Sequence, residues 1–366
     1  MSATGWWKFE RLYTDSFAGV TDIDYSGRFV WAVAGGNLRV YDVYDLEQYL
    51  DEIDSFVIEE PNRGLTVFET FSLPGAGYYL EIANGTAYVS AGSTFASIYE
   101  VKTNGDIETI SAPDTMQSNI HHYDGKLWMV GSTLIDDEHS LFSYDLSTGE
   151  WDSVIIPVRK QLSVAFFVHD DKAGNVLVTN FNNLSVAKFD AGANTHTSTI
   201  RLDDGTGANR GPRRIYTDSS LTTWVASING MISTVDTSTD TVSHELNSFT
   251  TAEGICSDGT YLWFAANDLV RSRESDGDIR MTNGDEDDYS FNTERFPSTT
   301  FTALTKTIAH SYATDSGTQT VGEYIFLTTA TDVIAFRNDD LYYRTPYTKI
   351  QGVGMVSSGK HDYTGD

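Results

Sequence analysis

Short runs in which almost every residue is apolar recur along the chain, each just after a small turn residue. "DGKLWM", ending at Met129, shows the pattern in its plainest form. Asp124-Gly125 reads as a two-residue turn, and the residues after it read as a strand. The same arrangement ends at Trp31 ("SGRFVW"), Val89 ("NGTAYV"), Val178 ("AGNVLV"), Trp224 ("SSLTTW"), Trp263 ("DGTYLW") and Phe326 ("VGEYIF"). In every copy the final residue lies four positions after the small one, which is Gly in six copies and Ser220 in the fifth. A strand with one wet face alternates in polarity. "KLWMVG" and "YLWFAA" do not, so both faces of these strands are predicted to be covered.

A second element follows each anchor. Tyr41, Tyr99, Arg273 and Phe336 come ten residues later, Phe189 and Val235 eleven, and Tyr144 fifteen. An acid comes next in six copies (Asp42, Glu100, Asp145, Asp190, Asp236, Glu274) and Arg337 in the seventh. Turn signals then lead into another strand, as in "DLSTGEWDSVIIP" and "DTSTDTVSHEL", and a further strand precedes each anchor. Seven units of four short strands, with anchors 39 to 63 residues apart, resemble a seven-bladed β-propeller of four-stranded antiparallel blades. A pair of β-sandwiches is the rival all-β reading, and it leaves seven copies in phase unexplained. The resemblance spans roughly residues 17–345 and is to the architecture alone. The one Trp-Asp pair, Trp151-Asp152, lies in the wrong strand for a WD40 repeat, and a kelch-like double glycine occurs only at Gly35-Gly36. We therefore expect one propeller domain over 1–350, with the strand-like stretch 6–13 closing the last blade, and a C-terminal tail over 351–366.

In such blades the connections alternate between two faces. Four long insertions, 59–78, 134–140, 203–213 and 283–301, are read as sharing the face of the blade-to-blade links. Function on rigid scaffolds concentrates in loops, and aromatics and Arg anchor interfaces. The candidate partner-binding residues are therefore Phe68, Phe71, Tyr78, His139, Arg210, Arg213, Tyr289, Phe291 and Phe296.

Charge narrows the range of partners. With 24 basic and 52 acidic residues the net charge is −28, the wrong sign for nucleic acid or an anionic membrane surface. Nine Lys against fifteen Arg, 35 Asp against 17 Glu, and 43 Thr form a composition that resembles proteins of extreme halophiles. No stretch approaches the roughly 18 apolar residues of a membrane helix. The start, "MSATGWWKFERLY", has neither the charged nor the apolar region of a Sec-type signal, so synthesis and folding in the cytoplasm are expected. The single Cys256, in "EGICSDG", excludes an internal disulfide framework and reads as a buried, inert thiol.

Catalytic signals are weak. His121, His122, His169 and His310 fall in first strands, which line a propeller's channel, and three inward imidazoles could hold a metal for a hydrolase or lactonase. Counted back from their turn glycines, however, they differ in register, and His121 and His122 must point to opposite faces. Asp24, Asp170 and Asp218 end first strands and could serve a glycosidase, but acids near turns are ordinary. The run 275–288 offers Asp276, Asp278 and Asp285 as oxygen ligands for Ca²⁺ or Mg²⁺, without the order of an EF-hand loop. No cofactor is expected otherwise.

The sequence thus points to a non-enzymatic binding or structural module. Its expected setting is the virion of a haloarchaeal virus, as a tail fibre, baseplate or capsid-surface protein engaging other subunits or a host surface protein or glycan. The alternative is a cytosolic interaction scaffold of the halophile.

A charge of −28 on one folded body repels itself unless counterions screen it. The thermal midpoint, followed by circular dichroism, is expected to rise steadily from physiological ionic strength to molar KCl. A flat profile overturns the halophilic reading.

Overall fold

A computed structural model of the chain describes residues 6–9, 12–42, 62–133, 138–157, 167–181, 183–202, 211–218, 220–227, 231–247, 254–257, 261–265, 269–273, 293–296, 306–313, 320–329, 331–337 and 341–344. Every regular element among them is a β-strand. The strands form seven blades, numbered here in chain order. Blade 1 is Val20–Ser26, Phe29–Asp42 and Val67–Gly77. Blade 2 is Leu80–Ala83, Thr86–Ser90, Phe95–Val101 and Ile107–Met116. Blade 3 is His121–Tyr123, Lys126–Thr133, Glu138–Asp145 and Trp151–Ile155. Blade 4 runs from Val168–Asp170 through Asn175–Asn180 and Ser185–Asp190 to Thr195–Arg201. Blade 5 runs from Pro212–Thr217 through Thr223–Ser227 and Met231–Asp236 to Thr241–Asn247. Blade 6 is Gly254–Ser257, Tyr261–Ala265, Leu269–Arg273 and Thr293–Phe296. Blade 7 begins with Lys306–Ala313, Thr320–Thr328 and Asp332–Arg337. A short pairing of Thr115 and Met116 with Ser132 and Gly131 joins blades 2 and 3 into one sheet.

The turns follow from the sequence. Asn84-Gly85 and Asp124-Gly125 form two-residue hairpins in which both residues have positive φ, the conformation that Asn-Gly and Asp-Gly favour. The recurrent acid after the third strand has a local task. Oδ1 of Asp145 accepts from the amides of Ser147 and Thr148, that of Asp236 from Ser238 and Thr239, and that of Asp190 from Ala193. Each carboxylate folds the next hairpin around itself.

All seven anchors lie in second strands and are buried, the most exposed being Trp31 at 4%. The neighbour each one meets is not constant. Val89, Met129 and Val178 pack toward the preceding blade, whereas Trp31 and Phe326 pack toward the following one. A strand covered on both faces tolerates that one-residue slip, since either register keeps the side chain dry. Cys256 is buried, as its setting implied.

The ring is closed by Leu12–Ser16, which pairs antiparallel with Asp332–Arg337 as the fourth strand of blade 7. This lies downstream of most of the stretch 6–13 expected to do so. Trp6–Phe9 instead pairs with Leu341–Arg344 as a separate two-stranded ribbon. Asn62–Gly64 adds a parallel strand outside Leu12–Ser16, covering the edge that closure leaves. Asp15 fastens this seam to blade 1, its Oδ2 accepting from Arg39 Nη1 at 2.7 Å and from Tyr41 Oη at 2.8 Å.

The insertions divide between the faces in a way the sequence reading did not anticipate. Phe29–Asp42 pairs with the first strand of blade 1 through its first half and with the last strand through its second half. The change of partner falls at Gly35, where φ is positive. This segment therefore supplies both middle strands, and residues 43–66 join the third strand to the fourth. Residues 274–292 do the same in blade 6. Both connections thus emerge beside the first-to-second-strand turns, on what we term the hairpin face. Only 134–137, 202–211 and 297–305 keep to the opposite link face.

Tyr13, on the closing strand, is 1% exposed and Trp128 fully buried. Each changed to Ala is expected to cost about 3–5 kcal/mol in equilibrium denaturation. Deleting residues 1–16 should cost more and induce self-association in gel filtration, because Asp332–Arg337 becomes an open edge. A deletion that leaves a monomer of unchanged stability overturns this account of closure.

Candidate functional site at the mouth of the channel

Among the described residues, the first strand of each blade has no hydrogen-bonding partner strand on its channel side, so its amides and carbonyls must be satisfied otherwise. Polar side chains from the neighbouring blade do this. Asp22 Oδ2 accepts from the Leu80 amide at 2.9 Å, and Asp24 Oδ2 from the Ile82 amide at 2.7 Å. Glu81 Oε1 accepts from the His122 amide at 2.7 Å. Asn119 uses both ends of its amide, accepting from Val168 N and donating to Val168 O. Thr217 donates to the Asp170 carbonyl at 2.7 Å, and Lys172 to the Asp218 carbonyl. Alternate residues of a strand share a face, so pairs two apart such as Asp22/Asp24 address backbone groups two apart on the next blade. The result is a side-chain ladder running from blade 1 to blade 5.

The ladder condenses where blades 2, 3 and 4 meet. His121 lies between two carboxylates, with Nδ1 3.6 Å from Glu81 Oε1 and Nε2 2.9 Å from Asp170 Oδ2. The imidazole of His169 stacks on His121, centroids 4.5 Å apart and planes 21° from parallel, and donates from Nδ1 to its neighbour's carbonyl, Asp170 O, at 2.8 Å. Tyr216 closes the far side edge-on, 5.7 Å from His169. Burial works against charge on His121, but Glu81 and Asp170 outweigh it and raise its pKa. Burial, reinforced by the charge on His121, lowers His169 to about 4, so His169 is the neutral member. Asp170 falls to about 2 despite its own burial, because of the hydrogen bond from His121 and the positive charge that ring carries. In metal-binding terms, ligand atoms of His121, His169 and Asp170 all lie within 4.8 Å of one another.

The structure thus brings His121 and His169 together, contrary to the register argument. The turns explain the difference. Tyr123 pairs with Lys126 across two residues, whereas Asp170 pairs with Val176 across five, so counting back from the glycine misplaces His169. The side chain of His310 lies outside the described residues. Asp218 serves its own turn, accepting from the Ser220 and Thr222 amides and from Trp224 Nε1 at 2.8 Å. Of the residues the sequence reading overlooked, Glu81 and Asp22 are legible in retrospect as acids beside apolar neighbours in first strands, whereas Asn119 lies two residues before the first strand of blade 3.

Among the described residues, the expected partner-binding residues do not form one surface. Phe71 is a core residue, buried and stacked on Trp31 with centroids 5.8 Å apart. It pairs with Leu38 within a regular strand, and that position faces the next blade. Phe68 is 55% exposed and lies on the hairpin face beside Phe29. Tyr78 is exposed on the link face, against Tyr79. His139 is half-buried, and its carbonyl accepts from the Ile156 amide. Arg213 is half-buried in the first strand of blade 5. Phe296 ends a strand opposite Leu269, and its side chain lies outside the described residues. Arg210, Tyr289 and Phe291, and the candidate cation ligands Asp276, Asp278 and Asp285, also lie outside them.

Comparison with solved structures agrees with the sheet arrangement. The WD40 β-propeller domain of Doa1 is similar at a TM-score of 0.58, over 91% of this chain and 97% of that one. The fold is that of a β-propeller. Sequence identity across the match is 11%, so the likeness extends to architecture alone. No protein-family model and no curated protein matches the chain.

The ladder is testable without reference to function. Asp22→Ala and Asp24→Ala each strand an inner-strand amide, so each is expected to cost about 1–3 kcal/mol. Amide hydrogen exchange at Leu80 should accelerate in the first variant and at Ile82 in the second. Unchanged exchange at both overturns the ladder as a stabilising device.

Proposed function

We propose that this protein is a non-enzymatic interaction module whose hairpin face docks a protein partner. The observation behind this reading is where the exposed large apolar side chains lie. Tyr25, Phe68 and Leu221, 42%, 55% and 54% exposed, all belong to the hairpin face. Tyr25 ends a first strand, Leu221 sits in a first-to-second-strand turn, and Phe68 begins a fourth strand. Tyr78 and Ile155 are their only counterparts on the link face among the described residues. The hairpin face is also where the connections 43–66 and 274–292 emerge. A rigid ring presenting apolar side chains amid acidic surface has the makeup of an interface, with aromatic anchors and a polar rim.

The channel carboxylates favour binding over glycoside hydrolysis. Asp22, Asp24, Glu81 and Asp218 are engaged in holding backbone amides. That role needs them ionised and fixed, whereas a general acid has to give up a proton. Composition supports the finer setting: a Thr-rich, Lys-poor surface of charge −28 suits a particle exposed to brine, and we place the protein in the virion of a haloarchaeal virus. Proteomics of purified particles tests that setting separately from the docking face.

For the docking face, Lys102, Lys126 and Lys172 all sit at hairpin-face turns or strand ends and serve as reporters. Amine-reactive cross-linking of the native assembly, read by mass spectrometry, is expected to join the partner to these lysines. The double variant Phe68→Asp, Leu221→Asp should lower partner recovery about tenfold or more while the ring stays folded. Loss of the partner on changing Tyr78 and Ile155, but not Phe68 and Leu221, overturns the assignment.

A further inference from the structure

We propose that His121, His169 and Asp170 form a binding site for one divalent transition ion of the zinc class, at the mouth of the channel. The inference is independent of the docking reading. It starts from three side chains whose ligand atoms lie within 4.8 Å of one another. His121 Nε2 stands 2.9 Å from Asp170 Oδ2, and a proton on that nitrogen joins the two in a hydrogen bond. A metal ion takes the place of that proton when both atoms turn lone pairs to it.

The surroundings suit a metal. Ligand bonds of about 2.0–2.1 Å place an ion to one side of the 2.9 Å line, touching both atoms at an angle of about 90°. Both imidazoles have Nδ1 turned to an outer acceptor: Glu81 Oε1 for His121, and the Asp170 carbonyl for His169. The His169 hydrogen bond fixes the tautomer that leaves its Nε2 as the ligand atom, and the charge of Glu81, 3.6 Å away, favours the same tautomer of His121. Outer partners of this kind accompany metal-bound histidines generally. The third ligand is within reach. The set spans 4.8 Å, so binding draws the ligand atoms in toward the roughly 3.3 Å spacing of tetrahedral coordination. The side chains of His121, His169 and Asp170 keep 12%, 19% and 9% exposure, which leaves a fourth position open to the channel. Two nitrogens and one carboxylate oxygen select zinc-class ions over Ca²⁺ and Mg²⁺, which prefer all-oxygen shells. An acidic surface gathers divalent ions unspecifically, so it is this donor set, rather than the net charge, that makes the site.

The test uses the full chain stripped by chelation, in molar KCl with excess Mg²⁺ to screen the surface acids. Titration with Co²⁺, followed by its visible ligand-field absorption and displaced by Zn²⁺, is expected to saturate at one ion per chain. His169→Ala and Asp170→Asn should each weaken Co²⁺ about 100-fold or more, and Glu81→Gln about tenfold. Circular dichroism and melting confirm that the variants fold. Should they not, X-ray absorption at the zinc edge of the native, loaded protein decides, with scattering from two imidazoles expected. No saturable uptake, uptake unchanged in the variants, an all-oxygen shell, or equal competition by Mg²⁺ each overturns the site. In those cases a proton holds His121 against Asp170.

Discussion

A propeller's innermost strand is an edge strand, and the whole ring depends on how that edge is satisfied. Each first strand bonds to one neighbour in its own blade and turns its other side toward the channel and the next blade. Backbone ladders cannot run there, because adjacent blades are splayed sheets whose inner strands diverge. This chain replaces the missing ladder with carboxylates, an amide, a hydroxyl and an ammonium, and Asp22 and Asp24, two residues apart, meet amides two apart on the next blade. A hydrogen bond to an ionised group contributes about 1.5–3 kcal/mol. The apolar clusters between blades contribute more in total, but these directional contacts set the register at which one inner strand meets the next.

That dependence connects the acidic composition to the fold. Much of the charge repels, but Asp22, Asp24, Glu81 and Asp170 each hold a neighbouring blade, while Asp145, Asp171, Asp190, Asp218 and Asp236 each hold a turn. Asp suits both tasks better than Glu because its short side chain reaches a backbone amide with little rotamer freedom to lose. The two-to-one excess of Asp over Glu has a structural component as well as one of surface hydration.

The sequence exposed the ring more readily than the site, for a physical reason. Second strands are covered on both faces, so their apolar runs stand out whichever way an individual side chain points. The anchors from Trp31 to Phe326 were recognisable although their packing direction slips by one residue between copies. The Asn-Gly and Asp-Gly turns were legible because few dipeptides accept two positive φ angles in a row. Closure was placed one step early, because Trp6–Phe9 is as strand-like as Leu12–Ser16, and only tertiary pairing tells them apart. The site depends on register between strands of different blades. His121 and His169 meet because the turns of blades 3 and 4 differ in length, a non-local fact that no spacing within one repeat records. Phe71 was misjudged for a related reason: within a long insertion, a regular strand that buries its aromatics looks like a decorated loop.

Which face of the disc is decorated turns on a hairpin two residues wide. If Phe29–Asp42 were a single strand, the connection over 43–66 would follow a second strand and emerge among the blade-to-blade links. With the turn at Gly35-Gly36 it follows a third strand and emerges on the hairpin face, with Tyr25, Phe68 and Leu221. The two faces then differ in kind. The hairpin face is built from turns that carboxylates tie down locally, and the mouth of the channel with its histidine pair opens there. The link face consists of connections between blades, and several of their hydrogen bonds cross from one blade to the next, as from Tyr78 N to Ser90 O and between Asn119 and Val168. A surface meant to meet a partner repeatedly in one geometry is better built from the first kind, since its turns are fixed by bonds within a blade and do not shift when neighbouring blades adjust.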